Sequence, residues 1–498
     1  MLRVSLSFAA VAVFCLALAD VQVTTLEPWG ELGRIARGLL TPDVVVLYSF
    51  REAFLNTITF AFCGISVGVI GGCILSVFFS FAPARLLCAG LRSIHEIFWA
   101  FLFLPVVGLT PVCGILAIGI PYAGVFAKVY AEIRQEADQS TLPGLPPGAG
   151  RLSRFCYGVL PVIWYDVKSY TSYRLECALR SSAVLGFIGL PTLGFHLETA
   201  IREGHYSEAP ALLYALYLLI ASLRYWIRPR LVIAYVVASF AYVSTEVHLS
   251  RANLTNFLTY EILPWPMRRE GYYEGTGEVT FALADVWSWA LELAGTEVLE
   301  GMWNTLVLTQ IALVGTGIFA LVAYAAVSRH FAGRLARTLS GYALIVLRTT
   351  PEYFLAYAML QLWGPSMLPA IAAITLHNGA ILGHLAGGTA DGIELRPDAP
   401  RRRRDRYFYE VTPRVYGRFL AFLFYRWEII MRESAILGIL GIHTLGFFVD
   451  SAINDDHLDK AVFLIVASAI LNMGIDMTSQ RIRKRLRVST GSVFTYDQ

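Results

Sequence analysis

Apolar positions in this chain come in long unbroken runs. They do not alternate as in a half-buried strand, nor keep to the narrow stripe of a surface helix. The runs fall near residues 4–20, 53–82, 87–109, 111–130, 160–190 and 208–226, and again near 231–246, 300–328, 338–360, 365–386, 416–442 and 460–478. At 1.5 Å per residue most of them reach across about 30 Å of hydrocarbon, and the first run of each set is the shortest. The pattern predicts an all-α polytopic membrane protein of about twelve transmembrane helices. A spanning β-barrel would need alternating segments, which these are not.

The two sets of six are related. Residues 173–195 read YRLECALRSSAVLGFIGLPTLGF and residues 425–447 read YRWEIIMRESAILGILGIHTLGF, 13 identities in 23 at an offset of 252. Glu52, Asn56 and Thr57 match Glu300, Asn304 and Thr305 at 248, and Arg92 and Glu96 match Arg348 and Glu352 at 256. Offsets that drift by a few residues in loops are those of a diverged tandem duplication. Six runs per copy is even, so both copies share one orientation and form a parallel repeat. The expected division is 1–228 for the first six-helix repeat and 229–498 for the second. The N-terminal run has the look of a signal peptide, with a small-residue end at Ala17–Ala19. Its counterpart at 231–246 lies mid-chain, where a cleavable signal has no place, so an uncleaved anchor is expected.

Composition agrees: 56% of the 498 residues are hydrophobic and 15% charged, where a soluble domain is nearer a quarter charged. A formal net charge of +3 gives no reason to expect nucleic acid. All seven cysteines lie in the first half without a CxxC pair, which argues against disulfides and zinc. Basic residues collect in alternate loops: Arg85, Arg134, Arg151 and Arg154, Arg224, Arg228 and Arg230, Arg329, Arg334 and Arg337, Arg401–Arg404, and the C-terminal group from Arg481 to Arg487. All fall on one side if both termini are cytoplasmic.

The charges at the head of the duplicated segment carry the candidate chemistry. Glu176 and Arg180, like Glu428 and Arg432, are four apart and can pair on one helix face, Glu first. Arg174 and Arg426 have no such partner and must face a polar group, water or a pathway. With Ser182 and Ser434 they make either a cationic route for an anion or a structural ion-pair network. Gly186, Gly189 and Gly194, matched by Gly438, Gly441 and Gly446, would bend the helix into a constriction or let backbones pack closely. Arg92–Glu96 and Arg348–Glu352 read as surface pairs within one helix. Gly64, Gly68 and Gly72 read as a packing stripe. His377 stands beside Asn378, with His384 further on. No carboxylate cluster adjoins it in sequence, so it reads as a packing histidine and no metal is expected. There is no GxxxxGK[ST], no nucleophile with a partnering base, and hence no expected catalytic residue or cofactor. The long loops 132–161 and 387–413 hold matching places and suggest docking elements.

The pattern YRxExxxRSxxVLGxxGxxxxGF after YGVLP (157–161), with LRxxxE at 91–96 and 347–352, resembles the membrane permease of ABC importers of the phosphonate/phosphite type, twice over. The resemblance implies a type I importer fold, two permease units fused in tandem, and no enzymatic activity in the chain itself. It implies a nucleotide-binding ATPase dimer that hydrolyses ATP, and a periplasmic or lipid-anchored substrate-binding protein. It places the protein in the bacterial inner membrane among lipid. It implies coupling to the ATPase through the loops carrying Gly148, Arg151 and Arg154, and Arg403 and Arg406. The chain departs from the family there, since Pro143, Pro146 and Pro147 stand where helix is expected. The expected function is import of a small phosphorus-containing oxyanion. The alternatives are an ion-coupled secondary transporter with parallel repeats and a degenerate, non-transporting scaffold.

Overall fold

The computed structural model describes residues 1–25, 27–137, 146, 148, 150–243, 251–268 and 283–486. The side chains of Arg151, Leu152, Arg224 and Pro229 lie outside that description. Among the described residues there is helix and no strand. The main helices are α1 (Leu2–Leu18), α2 (Pro28–Leu40), α3 (Arg51–Val77), α4 (Ala82–Ser93), α5 (Glu96–Val107), α6 (Pro111–Glu136), α7 (Leu160–Val184), α8 (Leu193–Arg202), α9 (Glu208–Trp226) and α10 (Val232–Tyr242). They continue with α11 (Leu299–Val327), α12 (Arg334–Thr349), α13 (Glu352–Trp363), α14 (Met367–Asp391), α15 (Thr412–Glu433), α16 (Leu445–Asn454) and α17 (Leu458–Leu486). Prolines open α2, α4, α6, α7 and α15, where a missing N–H costs nothing.

Every predicted apolar run is largely helical where described, but not every run is one span. Among the described residues five helices are long and apolar enough to cross a membrane, and the number is eight if three bent pairs each count as one. Leu2–Leu18, Glu208–Leu223 and Val232–Tyr242 are apolar but shorter. The third run of each repeat departs from the expected single helix. In the first, Ile94 and His95 are extended and α4 meets α5 at 91°. In the second, Thr350 and Pro351 are extended, and the proline accounts for the break because it pushes the residue before it out of helical geometry. Arg92 and Glu96, and likewise Arg348 and Glu352, therefore belong to two different helices. They are not i,i+4 neighbours on one helix surface.

The chain divides into two compact units, and these are not the sequence repeats. One takes residues 43–249; the other joins 1–42 to 250–491. Thus α1 packs among helices of the 250–491 segment, and α10 among those of 43–228. In the 43–249 unit α10 lies on α3: Tyr235 meets the Phe62 ring at 5.9 Å, and its hydroxyl donates to Trp226 O at 2.6 Å. In the other unit α1 lies on α11 and α15. Phe8 meets Phe424 and Trp427 edge-on, both at 5.2 Å, its carbonyl accepts from Gln310 Nε2 at 3.1 Å, and Tyr416 Oη donates to Ser5 Oγ at 2.7 Å.

Each unit has a tightly packed central helix pair. In the first, Gly64, Gly68 and Gly72 of α3 lie against Ile118, Tyr122 and Phe126 of α6, with no room for a methyl group between them. In the second, the small residues have changed sides: Gly379, Gly383 and Gly387 of α14 lie against Phe319, Ala323 and Val327 of α11. One small partner per contact suffices for close approach, whichever helix supplies it.

Candidate functional site

The duplicated segment forms α7 and α15, each running into a tight 3₁₀ turn, a break and a short return helix. The bend is 53° in the first copy and 46° in the second. A helix that ends inside an apolar layer exposes backbone groups that the protein itself must satisfy. Here the second run of each repeat does so. Asn56 Nδ2 donates to Pro191 O at 2.9 Å, and Thr57 Oγ1 accepts from Leu193 N at 2.9 Å while donating to Ala53 O at 2.8 Å. Asn304 Nδ2 donates to His443 O at 2.9 Å, and Thr305 Oγ1 accepts from Leu445 N at 3.1 Å while donating to Gly301 O at 2.6 Å. The matched Asn-Thr pairs of the sequence are these clamps.

The glycines serve the same break. Gly189 and Gly441 take positive φ, +89° and +80°. A Cβ on Gly194 would stand 1.7 Å from Ala183 O, and one on Gly446 would stand 1.9 Å from Ala435 O. Gly186 and Gly438 face the returning backbone just as closely, at Phe195 N and Phe447 N. Four of the six are therefore needed for close backbone contact at the break, and Gly189 and Gly441 for its left-handed turn. Ser182 and Ser434, expected along a route, bond to backbone carbonyls. Both are fully buried. Ser182 Oγ donates toward Thr57 O and Leu179 O, and Ser434 Oγ donates to Met431 O at 2.7 Å.

Around the other break, before α5 and α13, polar groups converge. In the second repeat, His377 of α14 points its Nδ1 at two carbonyls closing α12, Thr350 O at 2.9 Å and Leu347 O at 3.2 Å. Carbonyls cannot donate, so Nδ1 carries the hydrogen. Nε2 lies 2.8 Å from Oε1 of Glu352, the first residue of α13, where the helix dipole favours a carboxylate. Asn378, fully buried, donates from Nδ2 to Glu433 Oε2 at 2.9 Å and accepts at Oδ1 from Arg426 Nη1 at 3.1 Å. Glu352, His377 and Glu433 each offer a ligand atom, and the three lie within 4.8 Å of one another. This corrects the expectation for His377: two carboxylates do accompany it, brought from 25 residues before and 56 after.

The first repeat builds the matching site from other residues. Glu96 opens α5, with His95 Nε2 at 3.5 Å from its Oε2. Ser181 Oγ is 3.5 Å from Glu96 Oε1 and 3.3 Å from the Tyr122 hydroxyl. Arg174 Nε donates to Tyr170 Oη at 2.8 Å, and its guanidinium lies over the rings of Tyr122, Tyr170 and Tyr173 at 5.3–5.9 Å. Glu96, Tyr122, Arg174 and Ser181 correspond at the repeat offsets to Glu352, Asn378, Arg426 and Glu433. Each copy therefore joins a helix-opening glutamate to a duplicated-segment arginine through two intermediaries. Tyrosine and serine fill those places in one copy, asparagine and glutamate in the other.

The remaining expected residues are placed as follows. Arg180 is half-buried with Nη2 at 3.5 Å from Cys177 Sγ. Arg432, Glu176 and Glu428 are half-buried on the same two helices. In the second long loop Arg403 is exposed. Arg406 ties the loop together through Pro400 O and His330 O, both at 3.2 Å. Glu410, which sequence reasoning passed over, anchors that loop from a buried position, 2.9 Å from Arg414 Nη1. In the first loop Gly148 sits in a turn and Arg154 ends a short helix. Residues 138–145, 147 and 149, and the Arg151 side chain, lie outside the described residues, and with them most of the expected coupling element.

Comparison with known proteins bears on what this arrangement serves. No family model matches the chain, and no solved structure matches it. Curated proteins do. A phosphite transport system permease of Stutzerimonas stutzeri is 25% identical over 222 residues, 42% of this chain and 81% of that protein. A putative cryptic phosphonate transport system permease of Escherichia coli is 33% identical over 99 residues, 20% of this chain and 81% of that protein. A phosphate-import permease of Mycolicibacterium smegmatis is 22% identical over 431 residues, 81% of this chain and 78% of its own length. The first two match stretches shorter than half of this chain; the third runs across both repeats.

Proposed function

The chain belongs to the phosphite/phosphonate transport permeases, and from that premise we propose that it is the membrane subunit of an ABC importer for a small phosphorus-containing oxyanion. The observation that carries this reading is the similarity to the phosphite and phosphonate permeases, joined to the match across both repeats with a phosphate-import permease. The chain is a transport permease and not an enzyme. ATP is hydrolysed on separate nucleotide-binding subunits, and a substrate-binding protein delivers the anion.

Two fused repeats supply in one chain what otherwise takes two permease subunits, in the manner of about twelve spans divided near residue 228. Arg174, Arg180, Arg426 and Arg432 attract the anion, with Glu176 and Glu428 ordering them. The guanidinium is suited to this because it presents a rigid fork to oxyanions. Both termini face the cytoplasm of a bacterial inner membrane, the side on which the basic loops collect. The loops around Gly148–Arg154 and Arg403–Arg406 engage the ATPase, and the second is held ready by Arg406 and Glu410.

The experiment is uptake of labelled phosphite, a methylphosphonate and phosphate into proteoliposomes holding the permease with its ATPase and binding protein. Uptake that needs internal ATP and survives collapse of ion gradients is expected. Gradient-driven uptake without ATP would establish the ion-coupled alternative, and no uptake with any of the three anions would overturn the reading.

A further inference from the structure

We propose that Glu352, His377 and Glu433 bind a divalent transition-metal cation of the zinc or manganese class, in the second repeat and not in the first. The three ligand atoms already lie within 4.8 Å of one another. An ion held at about 2.0–2.2 Å from each would set them roughly 3–4 Å apart, a closure that side-chain rotation can supply. One imidazole and two carboxylates are a donor set suited to such ions.

The surroundings are those of a metal site as well. A metal-binding imidazole commonly donates its second N–H to a carbonyl, which fixes the ring and turns the other nitrogen's lone pair to the ion. His377 does this with Thr350 O and Leu347 O, and its Nε2 faces Glu352. Glu433 is likewise oriented from behind by Asn378, and Asn378 by Arg426. Arg426 bonds Asn378, which bonds Glu433, so it offsets part of the negative charge from behind. Two half-buried carboxylates at this range favour a positive species between them. A proton can serve between Nε2 and Glu352, and a cation would displace it.

The first repeat is a built-in comparison. Pro121 stands where His377 does, and Ser181 where Glu433 does, so Glu96 is left without the other two donors. A cation in the second repeat would tie α13, α14 and α15 together at the helix break.

The test uses the full chain in detergent, carrying a tag without histidine, stripped with chelator, loaded with Zn²⁺ or Mn²⁺ and dialysed. One retained ion per chain by elemental mass spectrometry, with a metal-dependent rise in melting temperature, is expected for the native chain and for H384Q. E433S, which installs the residue the first repeat already carries, and H377Q should lose both signals. If either variant does not fold, Co²⁺ loading of the native chain gives a second readout, with an absorption spectrum of a nitrogen- and oxygen-ligated ion expected. Retention below about a tenth of an equivalent would overturn the proposal, as would equal retention by E433S and H377Q, or a Co²⁺ spectrum of the aqueous ion. None of these readouts involves transported anion, so failure here leaves the transport reading standing.

Discussion

Replacing Thr305 by valine removes one hydroxyl and keeps the shape. The hydroxyl accepts from Leu445 N at 3.1 Å and donates to Gly301 O at 2.6 Å, in a buried position. Gly301 O loses little, because it also serves its own helix. Leu445 N opens α16 and loses the acceptor that the break provides. An unsatisfied buried donor costs about 1–3 kcal/mol, and at about 1.4 kcal/mol per tenfold that is a factor of about 5 to 150 in the population of the opened break. Thr57→Val should act alike in the other unit, since Thr57 makes the same two bonds. The two effects should add, because the threonines share no partner. The assay is the half-life of the monodisperse protein in detergent at fixed temperature, since such unfolding is rarely reversible. Thr478→Val is the control; its hydroxyl bonds only to Gly474 O of its own helix at an exposed position. If T305V lost stability no faster than T478V, the clamp account of both breaks would be wrong.

Other expectations follow from the same geometry. Gly446→Ala and Gly194→Ala place a methyl against a backbone carbonyl and should abolish assembly. Gly474→Ala, with open space around it, should leave yield and elution volume unchanged. Arg426→Lys keeps the charge but not the fork that reaches Asn378, and should lower uptake by roughly tenfold, one charge-assisted hydrogen bond's worth. Unchanged uptake in R426K would show that only the charge matters there.

Much of this could be read from the chain, for definite reasons. Twelve apolar runs and a 252-residue offset are periodic signals, and the Asn-Thr match at 248 was visible before its purpose was. The breaks before Glu96 and Glu352 were half-legible: Pro351 announces one, but nothing as strong precedes Glu96. The site around His377 was hidden because its members come from three separate helices. One clue stood in the aligned segments, where Glu433 answers Ser181, and a carboxylate added to an apolar run calls for a partner. Where α1 and α10 pack left no trace. Residues 4–20 and 231–246 are apolar on all sides, so no face shows what they pack against. The glycine stripe was seen on α3 but missed on α14, because its owner changes between repeats.

The central claim is that one chain, with its two repeats, supplies the whole membrane part of the importer. Native mass spectrometry of the complex purified with its ATPase measures this directly. The account predicts one permease chain with two ATPase subunits. Two permease chains per complex, or a permease that retains no ATPase, would contradict it.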